Sequence, residues 1–190
     1  MPNWCECDLT MMGKESDIVE FERVAKGTGE IPKEKDAIVI QAEQFVPFPK
    51  ARDVLTCSKC GATRKETKEE SEDKAPLTIP KCNVKGCDGY MKDWFNTWGY
   101  DWCIKNWGTK WGICDAHVVE KKNGYRKYYF ESAWSPPIPV IQAISKRFPG
   151  LKIEMQYYEQ GVGFSGDVHL QSGEIIKSEE NDHYEGDRGG

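Results

Sequence analysis

Residues 114–134 read Cys-Asp-Ala-His-Val-Val-Glu-Lys-Lys-Asn-Gly-Tyr-Arg-Lys-Tyr-Tyr-Phe-Glu-Ser-Ala-Trp. Asn123-Gly124 at the centre suits a type I′ turn, whose two central residues both need positive φ. Before it, Cys114, Ala116 and Val118 alternate with polar residues. After it, Tyr128, Phe130 and Trp134 share a face. Period-two patterning on both sides of such a turn predicts a β-hairpin, and so an antiparallel sheet.

The flanking segments supply the rest of a two-layer α+β domain. In residues 3–11, Cys5, Cys7, Leu9 and Met11 face one way and Glu6, Asp8 and Thr10 the other, as in a half-buried strand. A helix follows, with Ser16 or Asp17 as cap, Ile18, Phe21, Val24 and Ala25 as its apolar stripe, and Gly27 and Gly29 as its stop. Ala37 to Phe45 reads as a second strand, closed by Pro47 and Pro49. Lys92 to Gly108 has the spacing of a helix carrying Trp94, Trp98 and Trp102. After the hairpin, Ser135-Pro136-Pro137 opens a helix that buries Ile141, Ile144 and Phe148 and stops at Pro149-Gly150. Leu151, Ile153, Met155 and Tyr157 alternate as a strand, Gly161 and Gly163 turn it into 164–170, and Ile175-Ile176 adds a short last strand. This order predicts a ferredoxin-like antiparallel sheet with helices packed on one face. The expected body is residues 1–50 and 93–177, with an insertion at 51–92 and a flexible polar tail at 178–190.

The insertion differs in composition. Cys57-Ser-Lys-Cys60-Gly and Cys82-Asn-Val-Lys-Gly-Cys87 are two close pairs, and Cys57, Cys60, Cys82 and Cys87 can place four thiolates around one tetrahedral Zn²⁺. Gly61, Gly86 and Gly89 give the turns their freedom. Four protein sulfurs leave no open position, so the expected zinc-ribbon-like site is structural. Thr63 to Lys74 is almost entirely charged and polar, with no periodic apolar face, and reads as a solvated loop.

Other candidates weigh less. Trp94, Trp98, Trp102, Trp107 and Trp111 could form a stacking surface for nucleic acid, but helical spacing and few nearby cations favour a place in the core. Asp115-Ala-His117 and Asp167-Val-His169 would converge on a second metal or an acid–base site only if their strands were neighbours. Cys5, Cys7, Cys103 and Cys114 read as small core residues. Cys114 and His117 are three apart on a strand and face opposite ways, which disfavours a nucleophile pair.

The chain has 190 residues, 38% of them hydrophobic, and a net charge of −5, which fits a packed domain and opposes broad phosphate binding. No apolar run approaches the roughly 18 residues of a membrane span, and the N-terminus lacks a signal-peptide pattern. A cytoplasmic protein with reduced cysteines and no membrane partner is expected.

Met1-Pro2-Asn3-Trp4-Cys5-Glu6, Trp102-Cys103-Ile104-Lys105-Asn106-Trp107-Gly108-Thr109-Lys110-Trp111 and Ala133-Trp134-Ser135-Pro136-Pro137 stand in the order found in the YubB-like family. That family, with an Api-type ferredoxin-like domain, is borne by phages and plasmids. The resemblance covers most of 1–176 outside the cysteine insert. It implies a ferredoxin-like body and a mobile-element origin, and it carries over no catalytic residue. The combined expectation is a non-enzymatic accessory protein that docks on a host or phage protein, one use being to counter a host defence system. The alternatives are a nucleic-acid binder using the ribbon and exposed aromatics, and an enzyme on the Asp-x-His face. Nothing in the sequence specifies an oligomeric state.

Overall fold

The computed structural model describes residues 3–27, 37–49, 54–65, 80–92 and 99–190. Nine strands and three α-helices are assigned among them: β1 (Trp4–Met12), α1 (Glu15–Lys26), β2 (Val54–Cys57), β3 (Thr63–Lys65), β4 (Met91–Lys92), α2 (Tyr100–Trp107), β5 (Cys114–Lys122), β6 (Tyr125–Ala133), α3 (Ile138–Arg147), β7 (Lys152–Glu159), β8 (Phe164–Gln171) and β9 (Glu174–Asn181). The chain divides into two compact units, Met1–Pro47 with Cys103–Gly190, and Phe48–Trp102.

The larger unit is built on a six-stranded antiparallel sheet in the order β5-β6-β1-β7-β8-β9. Taking β1, β5, β6 and β7 alone, with α1 and α3 as the crossovers, gives the split βαβ pattern of a ferredoxin-like fold. β8 and β9 extend it at one edge. β1 sits in the middle, bonded to β6 on one side and to β7 on the other. Its alternation settles which side is buried, since Cys5, Cys7, Leu9 and Met11 are fully buried.

Both crossover helices pack on that side. Phe21 of α1 lies against Tyr128 of β6 at 5.9 Å between ring centroids and against Phe148, just beyond α3, at 6.0 Å. Val140, Ile141 and Ile144 of α3 are fully buried. α3 also holds the β8–β9 turn, where Gly173 N–H donates to Ser145 Oγ and Gln142 Nε2 donates to Gly173 O.

One charge is buried in this layer. Arg126 of β6 is fully buried and ion-pairs with Glu15 and with Glu22, the latter at 3.4 Å, while Tyr128 donates to Glu22 at 3.0 Å. Arg126 also donates to the carbonyls of Lys122 and Tyr125. Glu15 additionally accepts the Gly124 N–H at the hairpin turn. The acid that opens α1 therefore ties the helix to the hairpin. Neither Ser16 nor Asp17 caps α1, which begins at Glu15 without a side-chain cap. Ser135 likewise caps no helix, its hydroxyl donating to Gly108 O instead.

Several expectations give way. Ala37 to Phe45 is not a strand: Ala37 makes a single bridge to His117, and Ala42–Gln44 is a 3-10 turn. The reason is local, since the Gln41 N–H donates to Ala25 O at the end of α1 and is unavailable to a ladder. Thr63–Lys65 is not loop but strand β3, paired with β2. The expected helix from Lys92 starts, among the described residues, near Tyr100, and Trp94 and Trp98 lie outside them. The tail expected to be flexible from 178 onward is strand as far as Asn181. Beyond it, Tyr184 N–H donates to Gly163 O and Gly190 N–H to Trp4 O. β9 is exposed at every residue and held by its backbone, so it shows no apolar period.

Two outcomes follow from this packing. Phe21→Ala is expected to cost about 3–5 kcal/mol in urea unfolding, because it empties a fully enclosed aromatic site. Arg126 and the Gly124 N–H hold the Glu15 carboxyl below its ordinary range. Its stabilisation is complete above that ordinary range and is lost as pH falls through the lowered value. Glu15→Gln should therefore flatten the acid limb of a stability–pH curve.

Candidate metal centre

Among its described residues, the smaller unit has a small apolar core. Its sheet runs β3-β2-β4, and its buried cluster comprises Leu55, Cys57 and Met91, flanked by Ala62, Cys82 and Cys87. So small an apolar cluster supplies little free energy and calls for a staple.

Cysteine sulfurs occupy that position. Cys57 ends β2, and the chain reverses at once through Gly61, whose φ is +70°. Cys82 and Cys87 bracket a second turn, in which Gly86 has φ +82° and Cys87 N–H donates to Val84 O. The four Sγ atoms all lie within 4.8 Å of one another, with Cys57–Cys87 and Cys60–Cys82 each at 3.7 Å. A tetrahedral ion with metal–sulfur bonds of about 2.3 Å has sulfur–sulfur edges of about 3.8 Å. Two of the six sulfur–sulfur edges match that length, and the rest lie within 4.8 Å, so the quartet is compatible with such an ion.

Backbone donors address three of the sulfurs. Lys59 N–H points to Cys57 Sγ, Val84 N–H to Cys82 Sγ and Gly89 N–H to Cys87 Sγ, each at 3.4 Å. Such bonds stabilise thiolate and orient it. The N–H groups of Cys60 and Lys59 pull the Cys57 thiol down to about 6. Cys82 is pushed up to about 12: the Val84 N–H lowers it, but burial and three neighbouring thiols outweigh that bond. Gly89 acts by its size rather than by a special φ, since a Cβ there would meet Cys57 Sγ at 2.7 Å and Cys87 Sγ at 3.3 Å. Sequence reading assigned it turn freedom and missed that contact.

The other sequence candidates separate. The two Asp-x-His strands are β5 and β8, with β6, β1 and β7 between them, so they stand about 19 Å apart at the usual strand spacing. They do not converge. His117 stacks on Tyr129 at 4.8 Å. His169 contacts Asp167 at 2.9 Å and Glu154 at 3.7 Å. Of the tryptophans, Trp107 is buried and donates its indole N–H to Val46 O, Trp102 packs on Phe48, and Trp111 is exposed beside Trp4. Cys5, Cys7 and Cys103 are buried. Cys114 is half-buried, and burial pushes its thiol up. No described helix is long and apolar enough to cross a membrane.

Comparison with known proteins agrees with the geometry of the larger unit. Residues 107–188 match the family model described as the ferredoxin-like domain in Api92-like protein. The crystal structure of a protein api92 from Yersinia pseudotuberculosis is similar in fold, with a TM-score of 0.54 at 12% identity, covering 95% of this chain and 98% of that one. No curated protein matches the sequence. The matched segment starts at the end of α2, so the central strand β1 and its helix lie before it.

Cys60→Ser with Cys82→Ser is expected to abolish metal uptake and to raise amide hydrogen exchange across 54–65 and 80–92. Exchange in β1, β6 and β7 should stay unchanged. Gly89→Ala should weaken metal retention by crowding Cys57, as read by competition with a chromophoric chelator.

Proposed function

We propose that this chain is a non-enzymatic macromolecule-binding module of a phage or related mobile element, working in the host cytoplasm, with one structural Zn²⁺ on Cys57, Cys60, Cys82 and Cys87. The observation that carries the metal reading is the all-sulfur quartet, its four Sγ atoms within 4.8 Å of one another and two pairs at 3.7 Å. Four soft thiolates select zinc over magnesium or calcium, and four protein ligands leave no position for water or substrate. A reducing compartment suits these ligands, because thiolates must stay unoxidised to bind.

The docking reading draws on charge and on the sequence resemblance. The polar face of the large sheet is rich in carboxylates, which favours a protein partner over nucleic acid. The mobile-element origin implied by the resemblance makes a host defence component one candidate partner.

The test has two arms. Elemental analysis of purified protein should give about one zinc per chain, lost in the Cys60→Ser, Cys82→Ser variant. Capture from bacterial host cells with nuclease present should recover one protein in stoichiometric amount. Recovery of nucleic acid alone, lost on nuclease treatment, would overturn the docking reading. A chain without metal would overturn the zinc assignment.

A further inference from the structure

The face of the large sheet opposite α1 and α3 holds a polar cluster that the metal centre does not explain. Glu6 and Asp8 are successive residues of β1 on that face, in register with Tyr158 and Gln156 of β7. Arg188 lies across them. Its Nε donates to Glu6 Oε2 at 2.9 Å, and Nη1 and Nη2 donate to the two Asp8 oxygens at 3.0 and 3.2 Å. Its guanidinium carbon stands 4.3 Å from the Tyr158 ring centroid. A forked carboxylate with an aromatic plate matches a planar guanidinium, and an ammonium cannot satisfy both. Glu131 stands opposite Glu6 on β6, while Lys127 reaches Asp8 at 3.4 Å.

The segment that delivers Arg188 is poorly matched to this face in net charge. Residues 182–190 carry Asp182, Glu185 and Asp187 against Arg188 alone, so three acids and one base give a formal −2 over carboxylates. Besides Arg188, the segment is held by the Tyr184 ring on Tyr158 at 5.5 Å and by the Tyr184, Gly189 and Gly190 N–H groups. Gly186, Gly189 and Gly190 increase the backbone freedom regained on release. A groove of about 390 Å³ adjoins the seat and is lined by Gln156, Tyr158, Asp167, Glu179 and Asn181. Its carboxylates already take a cation, with Lys177 at 3.0 Å from Asp167 and 3.1 Å from Glu179.

We propose that this face is a recognition site for an arginine-bearing basic segment of a partner protein, which displaces the chain's own residues 182–190 from the Glu6–Asp8–Tyr158 seat. The proposal rests on the docking reading and gives it a surface and a ligand chemistry. The intramolecular segment competes at the millimolar effective concentration of a short tether. An incoming segment that keeps the arginine but replaces the acids with lysines avoids the repulsion the resident segment suffers.

The full chain tests this with a labelled peptide, Lys-Lys-Tyr-Lys-Gly-Lys-Arg-Gly-Gly, followed by fluorescence anisotropy at low salt. Arg188→Ala should bind it about tenfold more tightly than the unaltered chain, because the resident competitor is gone. Asp8→Asn in that background should lose the gain. Replacing the peptide's arginine with lysine should weaken binding about tenfold, a comparison that needs no change to the fold. Equal affinity of the unaltered chain and Arg188→Ala, indifference to the arginine–lysine exchange, or no binding by either protein would overturn the proposal. Stoichiometric capture of a host protein alongside any of these results would leave the docking reading standing and refute only this surface.

Discussion

Everything in the larger unit depends on β1 finding both of its neighbours. Its two edges are bonded to β6 and to β7, strands that follow it by more than a hundred residues, and its apolar residues are fully buried between them. No local contact can substitute for this pairing, so the chain must close a long loop before the core exists. Residues 48–102 lie within that loop. Loop-closure entropy rises only slowly with length, by about 0.6 kcal/mol per doubling, which lets a folded insert sit between α1 and β5 at modest cost.

What the sequence discloses follows which forces leave a periodic trace. β1, β6 and β7 bury one face, so Cys5-Cys7-Leu9-Met11 and Ile153-Met155-Tyr157 are legible as strands. The Asn123-Gly124 turn fixes the antiparallel sense of β5 and β6. The cysteine spacing likewise disclosed the quartet, because metal ligation constrains residue type and interval together. β9 left no such trace, since its order comes from main-chain bonds to β8 and every side chain is exposed. Ala37–Phe45 misled in the opposite way: Ile38-Val39-Ile40 has strand composition, yet Gln41 spends its N–H on the end of α1. The Arg188 seat was invisible for a third reason. It joins residues 6, 8, 158 and 188, and no spacing rule reaches that far.

The two faces of the sheet treat charge differently. On the helix side, Arg126 is fully buried, and Glu15, Glu22 and two carbonyls answer it in place of water. Desolvation makes such a site expensive to strip of its acids, because removing a glutamate leaves the fully buried guanidinium without compensation. On the open side, Arg188 is about one-third exposed and meets Glu6 and Asp8 where water can replace it. Exchange there costs far less, since solvent screens the carboxylates when the guanidinium leaves.

That contrast separates structure from function in this molecule. The pairing of the buried Arg126 with Glu15 and Glu22 ties α1 to the hairpin and so acts on the chain's own folding. Glu6 and Asp8 are carried by β1, an interior strand of the sheet, with Tyr158 beside them on β7, while their occupant is a glycine-rich segment of net negative charge. Acceptors fixed on a sheet permit exchange of their donor, because preorganised acceptors spare an incoming ligand the ordering cost that otherwise consumes its binding energy. On the open face, the charged contacts of Arg188 can be replaced without stripping a fully buried group of its partners.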